Sequence, residues 1–182
     1  MSETGELTGQ ESDVLGTSGE RDAQKGKYMT FQSGDEYYGL KIQYVNEIIQ
    51  IQAITEIPET EDYIKGLINL RGKVIPVIDV HLRFKQEPME YNDRTCIIVI
   101  SHKSMLIGLI VEKIAEVVEI KEENIMPPPT ISRADKMQNK YIYGIGKVGD
   151  SVKLLLDPDK LLNDEALSDL EQVNDANNEE ER

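Results

Sequence analysis

Several residue types that often carry chemistry are scarce in this chain of 182 residues. It contains no tryptophan, two phenylalanines, two histidines and one cysteine, Cys96. A single cysteine excludes an internal disulfide and fits a reducing compartment. No apolar run reaches the ~18 residues that a membrane helix requires, and the acidic N-terminus lacks the basic-then-apolar order of a signal peptide. The sequence therefore predicts a cytoplasmic protein without direct membrane insertion.

Basic residues are also few. The 20 Lys and Arg are outnumbered by 34 Asp and Glu, which gives a net charge of −14. The ends hold most of the excess: residues 1–26 have six acids and two bases, and residues 163–182 have eight acids and one base. Without a basic stripe, nucleic acid is not an expected partner. Low apolar density predicts a flexible acidic tail over residues 1–26 and a disordered acidic tail over residues 171–182.

Between the tails, short apolar segments and frequent turns are typical of an all-β fold built from small barrels. A short helix is expected at residues 42–49, a single helical turn at 81–84, and a mobile loop at 132–140. Asp157-Pro158 is an N-cap followed by proline, which predicts a C-terminal helix over residues 158–170. Strands are expected at residues 28–32, 36–42, 49–57, 66–70, 73–80, 95–101, 105–111, 114–120, 141–145 and 152–156.

The polar, proline-containing segment at residues 85–94 predicts a boundary between two halves. The first barrel would lie mainly within residues 33–84 and the second mainly within residues 94–156. Because each half is too small to form a stable domain alone, we expect the two barrels to share an apolar interface.

The residues that could support catalysis are isolated from one another. Neither His81 nor His102 has a second ligand at metal-binding spacing, and Cys96 lies in an apolar run where a thiol acts as a small hydrophobe. Residues 144–149 match the dinucleotide motif G-x-G-x-x-G, but a strand-like segment follows where the motif requires a helix. A twisted hairpin turn explains these glycines better. We therefore expect no enzyme activity, no cofactor and no metal.

The pair Arg71-Gly72 separates two apolar runs and predicts the turn of a hairpin. Glycine on one side and strand packing on the other hold the direction of the Arg71 side chain. Its nearest internal partner is Glu47, with which it would form a charge-assisted bidentate pair. An arginine at this corner is either paired within the protein or held for a partner.

The chain resembles the family of CheW-like domains, adaptors of bacterial chemotaxis, over about residues 27–170. The resemblance rests on residues 34–39, 45–48, 64–72, 74–79, 107–111, 143–146 and 159–162. It implies two five-stranded SH3-like barrels around a shared apolar seam, with short helices and a C-terminal helix. It also implies a non-enzymatic adaptor that is monomeric in isolation and is recruited to membrane receptor arrays.

The resemblance implies two partners and a surface for each. A helical chemoreceptor tip (the cytoplasmic tip of a methyl-accepting chemotaxis protein) would dock in the seam, and the regulatory domain of the histidine kinase CheA would bind the first barrel. Binding and burial favour the same residue types, so an ordinary core role is the alternative for the apolar ones. The receptor set is Ile42, Val45, Glu47, Ile49, Arg71, Cys96, Ile98 and Gly108, and the kinase set is Ile57, Lys65 and Gly66.

A different class of function is a generic SH3-like interaction module in another two-component signalling pathway. A module that binds proline-rich peptides needs an aromatic groove. The absence of tryptophan and the two phenylalanines disfavour that form of the alternative.

Overall fold

In the computed structural model, β-strands dominate and form two sheets, as expected for an all-β fold. The structure describes Gly19 and residues 22–128, 139–163 and 165–170. The strands are Lys27–Ser33 (β1), Glu36–Lys41 (β2), Val45–Gln50 (β3), Ile64–Leu70 (β4), Lys73–Asp79 (β5), Cys96–His102 (β6), Met105–Val111 (β7), Lys113–Glu119 (β8), Ile125–Met126 (β9), Ile142–Val148 (β10) and Ser151–Leu156 (β11). One-turn helices are Val80–Arg83 (α1), Pro158–Leu161 (α2) and Glu165–Ser168 (α3), and 3-10 turns are Ile42–Tyr44, Glu122–Asn124 and Asn139–Tyr141.

The strand order only partly follows the expected boundary at residues 85–94. The six-stranded sheet has the order β8-β1-β2-β11-β10-β9, and the five-stranded sheet has the order β3-β6-β7-β5-β4. Most strands of the five-stranded sheet lie within residues 33–84 and most strands of the six-stranded sheet lie within residues 94–156, but each sheet takes two strands from the other side of the boundary. The physical reason is burial: β6 and β7 are almost continuously apolar, and they become central strands next to β3 and β5.

Three apolar clusters lie in and between the sheets. The largest contains Phe31 and Leu40 from the six-stranded sheet and Ile98 and Leu109 from the five-stranded sheet, all fully buried. The expected shared apolar seam is therefore confirmed. Each sheet also encloses its own smaller cluster, one with Ile68, Ile75, Val77, Ile97, Val99 and Ile110 and the other with Tyr28, Val118, Ile120 and Leu155.

An aromatic row and a buried arginine attach the short helices to the shared cluster. The ring of Phe84 stacks on Tyr38 at 4.8 Å and on Tyr141 at 5.7 Å between centroids. The Arg83 guanidinium lies between the rings of Tyr63 and Tyr141, at 4.5 Å and 4.8 Å. Its Nε–H donates to the Leu161 carbonyl at 2.9 Å, which links α1 to α2.

Two local predictions are wrong. The helix expected at residues 42–49 is a single 3-10 turn followed by β3, so the strand expected at 49–57 begins earlier and leaves the ladder after Gln50. The continuous helix at 158–170 is interrupted at Leu162, whose backbone turns to φ −101° and ψ 2°. Burial of Leu162, Leu167 and Leu170 against the shared cluster takes precedence over helix propagation there.

Other predictions at the ends and in one loop lie partly beyond the described residues. The single turn expected at residues 81–84 is confirmed as α1. Residues 1–18, 129–138 and 171–182, which include most of the expected tails and loop, lie outside the described part of the chain. Within that part, each helix is too short to cross a lipid bilayer.

Candidate functional site

The hairpin between β4 and β5 ends in a two-residue turn. Leu70 pairs with Lys73, which leaves Arg71 and Gly72 as the central residues with φ values of 52° and 87°. Two positive φ angles define a type I′ turn, which matches the twist of the flanking strands. The Asn69 side chain accepts the Gly72 N–H at 2.9 Å and supports the turn. Arg71 therefore occupies a left-handed position that arginine seldom adopts.

The Arg71 side chain pairs with Glu47 on β3. Its Nη2 group donates to Oε1 of Glu47, so the expected partner is confirmed, although the contact is single and not bidentate. The hydrogen bond and the negative charge of Glu47 raise the pKa of Arg71 above its ordinary value. The Arg71 side chain is 70% exposed and that of Glu47 is 29% exposed. The turn is thus an accessible corner of the sheet.

The Arg71–Glu47 pair also joins the two outer strands of the five-stranded sheet. β3 and β4 are at opposite ends of the strand order. The segment after β3 returns to β4, where Thr55 and Leu67 exchange backbone hydrogen bonds of 2.8 Å and Gln52 donates to the Asn69 carbonyl at 3.0 Å. The charge pair is the outermost of these contacts. It fixes the position of the hairpin tip relative to β3.

The residues expected to form one apolar wall are divided between the two faces of the sheet. Val45 and Cys96 are partly exposed and pack on the shared cluster. Ile98 is on that side too, but it is completely buried, so its role is core packing and not direct contact. Ile49 packs on the opposite face, against the cluster inside the five-stranded sheet. Ile42 is half-buried in the 3-10 turn.

Ile48 was not among the residues expected at the site, although it lies beside Glu47. It pairs directly with Ile98 and shares its face, yet it is 40% exposed because β3 is an outer strand. Ile48 was omitted because residues 42–49 were interpreted as a helix. Reading the segment as a strand would have revealed it, because side chains alternate between faces.

Gly108 has a packing role within the sheet. It is buried in β7 opposite Val77 and Val99. A Cβ at this position would lie 2.6 Å from Cγ1 of Val77 and 2.7 Å from Cγ2 of Ile97. Only a residue without a side chain fits between these strands, so the structure gives Gly108 a packing role, and its place in the receptor set stays a prediction.

The residues expected to bind the kinase have different degrees of exposure. Ile57 and Lys65 are partly exposed, whereas Gly66 is buried with φ 137°. A Cβ on Gly66 would lie 2.0 Å from the Thr55 carbonyl oxygen. Gly66 therefore permits the bridge between Thr55 and Leu67, and a direct contact with a partner is excluded by its burial.

The titratable groups near the seam are scattered. Burial raises the pKa of the Cys96 thiol above its ordinary value, which lowers its reactivity as a nucleophile. Among the residues that the structure describes, no group of three or more His, Cys, Asp and Glu side chains is arranged to hold a metal ion. The arrangement can serve for contact, with an exposed charge pair at the hairpin tip and partly exposed apolar side chains on the other face of β3.

Comparison with known families gives a match over most of the chain. The family model described as CheW-like domain matches residues 27–166. The chain is 33% identical to the chemotaxis protein CheW of Klebsiella aerogenes over 147 residues, which cover 81% of this chain and 87% of that protein. It is 32% identical to the chemotaxis protein CheW of Treponema pallidum, with 78% of this chain and 85% of that protein covered.

A solved structure gives the same result for the fold. The crystal structure of the scaffolding protein TtCheW from Thermoanaerobacter tengcongensis aligns with a TM-score of 0.70 and 35% sequence identity. The alignment covers 78% of this chain and 94% of that chain. The short helices and the two sheets described above therefore have a counterpart in a solved structure.

Proposed function

The chain belongs to the family of CheW-like domains, and on that premise we propose that it is an adaptor that couples chemoreceptors to the histidine kinase CheA. Membership of this chemotaxis scaffold family supports a role as an adaptor in chemotaxis. The proposal adds the two partners, the absence of enzyme activity, and support of kinase activation and array assembly. The observation that carries it is the family match over residues 27–166, which includes both sheets and the Arg71 hairpin.

We assign the receptor to the surface around the Arg71–Glu47 pair. This surface includes Arg71 and Glu47 and, on the other face of the sheet at its outer strand β3, the partly exposed apolar residues Val45, Ile48 and Cys96. A receptor tip is a helical hairpin, and a helix docks through apolar anchors spaced by three or four residues. Apolar side chains on one face of the outer strand β3 and a charge pair on its other face suit a helix that packs along this strand, because the anchors supply affinity and the charges select orientation.

The kinase regulatory domain would bind near Ile57 and Lys65. Both are partly exposed, and Ile57 follows the outer strand β3 in the chain. Gly66 contributes by keeping the neighbouring backbone in place, as described above. In this account the protein is a cytoplasmic monomer in isolation and joins membrane receptor arrays by binding both partners.

A pull-down with a receptor cytoplasmic fragment and, separately, with a CheA regulatory domain tests the proposal. We expect the wild-type chain to be retained by each partner. The Arg71→Ala variant should keep its fold and lose retention by at least one of them. A folded wild-type chain that binds neither partner would contradict the proposal and would favour a generic interaction module in another pathway.

A further inference from the structure

A buried lysine lies at one end of the six-stranded sheet, away from the Arg71 surface. Lys153 on β11 is only 6% exposed. Its ammonium lies 4.3 Å from the centre of the Tyr37 ring. Within the described part of the chain it has no carboxylate partner within ion-pair distance. The protein covers the aliphatic stem of Lys153, while the ammonium reaches solvent beside the tyrosine ring.

The strand register places a second lysine, Lys113, on the same face of the sheet as Lys153. Lys113 on β8 pairs with Gln32, and Gln32 pairs with Tyr37. Tyr38 pairs with Leu154 in parallel register, so Tyr37 is next to Lys153. Directly paired residues point to the same face of a sheet. The two lysines therefore lie in one row across four strands, with Tyr37 between them.

This row lies on the face that the sheet curls around. Lys153 pairs with Gly146, and a Cβ added at Gly146 would meet Ile120 and Leu155, which belong to the cluster inside the six-stranded sheet. The row is therefore at the mouth of that enclosed core. A cavity of about 400 Å³ opens there, lined by Tyr37, Lys113, Ile114, Ala115, Glu116 and Lys153.

The charge of the cavity is opposite to that of the chain. Two lysines and one glutamate line it, in a protein with a net charge of −14. The Glu116 residue is exposed, and its backbone N–H and C=O are both bound by the Thr30 hydroxyl, at 3.1 Å and 2.6 Å. The cavity thus presents the Lys153 ammonium together with that of the exposed Lys113.

We propose that this cavity is a binding site for a carboxylate, carried by an aspartate or glutamate side chain of a partner protein. A carboxylate in the cavity would form charge-assisted hydrogen bonds with the ammonium groups of Lys113 and Lys153 that line it. An arginine-rich partner does not fit, because its positive charges repel the two lysines. The choice of a protein as the carrier rests on the proposed adaptor function, whereas the carboxylate site itself does not.

The test follows the lysine side chains by NMR in the full chain labelled with ¹³C at lysine Cε. The probes are the capped peptides Gly-Glu-Gly and Gly-Gln-Gly. We expect the Lys153 and Lys113 signals to move saturably with the Glu peptide and to remain unchanged with the Gln peptide. Lys153→Met should weaken the Glu peptide about tenfold, because one charge-assisted hydrogen bond contributes about that factor. Lys147→Met, which removes an exposed lysine of β10, is the matched control and should bind as the wild type.

Two results would overturn the proposal. An equal response in Lys147→Met and Lys153→Met, or to both peptides, would show that the peptide associates without this site. Methionine fits an apolar core, so a urea unfolding midpoint at or above that of the wild type shows that Lys153→Met is folded. The pull-down tests the adaptor function and the peptide titration tests the carboxylate site. A negative pull-down would not change a positive titration, so either proposal can fail without the other.

A further arm distinguishes the source of the carboxylate. Full-length variants replace the acidic residues of segments 1–18 or 171–182 with their amides. We expect neither variant to change the Lys153 signal in the absence of peptide. A shift in either one, together with stronger peptide binding, would contradict a partner protein as the carrier and assign the site to that segment.

Discussion

At the scale of single residues, two positive φ angles near one hairpin have different causes. Gly66 at φ 137° is enclosed by the Thr55 backbone, whereas Gly72 at φ 87° is open, with no atom within 4 Å of the point that a Cβ would occupy. Both φ values are unfavourable for residues with a side chain, but only a side chain at position 66 would also collide with neighbouring atoms.

We expect Gly66→Ala to destabilise the fold by about 3 kcal/mol or more, since strain and a collision with the Thr55 carbonyl combine. Gly72→Ala should cost only about 1 kcal/mol, from its left-handed backbone alone. Urea denaturation of both variants measures the difference. Equal losses would show that the Thr55 bridge does not depend on Gly66.

A substitution at Arg71 can separate the contribution of the turn geometry from the contribution of the positive charge. Asparagine favours the type I′ position that Arg71 occupies, so Arg71→Asn should keep or raise the unfolding midpoint. The same variant removes the guanidinium and should weaken retention by the receptor fragment about tenfold, a typical effect for a central arginine. Lys147→Asn, on another hairpin, is a suitable control. Wild-type retention by Arg71→Asn would show that only the shape of the turn is needed.

At the scale of elements, β3 shows how one strand serves both packing and contact. Its outer position leaves Ile48 exposed while its directly paired neighbour Ile98 on β6 is fully buried. The two isoleucines therefore form a matched pair with opposite expected roles.

Ile48→Asp should change the unfolding free energy by less than about 0.5 kcal/mol, as is usual for an exposed position. It should reduce receptor binding, because a charge replaces an apolar contact. Ile98→Ala should cost about 2–5 kcal/mol by leaving a cavity in the shared cluster. Chemical denaturation and receptor pull-down on both variants separate the effects. Undiminished receptor binding by Ile48→Asp would remove β3 from the receptor surface.

The elements also show how far the sequence determines the fold. The hairpin of β4 and β5 was predictable because two apolar runs flank a Gly-containing turn, and the Arg71–Glu47 pairing followed from opposite charge. The segment at residues 42–49 was misread because Ile42, Val45 and Ile49 fit a helical period that the pairing of β3 with β6 overrides. Strand alternation alone would have revealed Ile48.

At the scale of the whole molecule, the assignment of strands to sheets could not be read from chain order. Residues 85–94 resemble a boundary in composition, but long-range pairing places β6 and β7 with the earlier strands. Local sequence carries little information on such pairings, since the free energy comes from burying both faces of a strand. The burial of Lys153 was equally hidden, because it depends on a row of residues from four separate strands.

The whole fold should lose stability in alkali through its buried tyrosines. Burial raises the pKa of Tyr38 to about 12, and the pKa values of Tyr91 and Tyr143 are raised as well, by burial and by their bonds to Asp79 and Tyr28. In the unfolded chain a tyrosine has its ordinary pKa near 10 and releases its proton above that pH. The folded state still holds these protons there. Stability is therefore complete below about pH 10 and is lost as the pH rises toward 12, by up to about 1.4 kcal/mol per pH unit for the buried Tyr38 and by less for the partly exposed Tyr91 and Tyr143.

Urea unfolding between pH 9 and pH 11 measures this loss, with Tyr38→Phe as the comparison. Removing the Tyr38 hydroxyl should reduce the slope of stability against pH. An unchanged slope would show that Tyr38 ionises as freely in the folded state as in the unfolded chain.

The proposed adaptor role requires one molecule of this protein to connect a receptor to the kinase. The most direct measurement is the autophosphorylation rate of CheA with receptor cytoplasmic fragments, with and without the chain. We expect the wild-type chain to raise the rate only when receptor and kinase are both present, and Arg71→Ala to abolish most of that increase. A rate that is the same with and without the wild-type chain, under conditions where it binds both partners, would contradict the account.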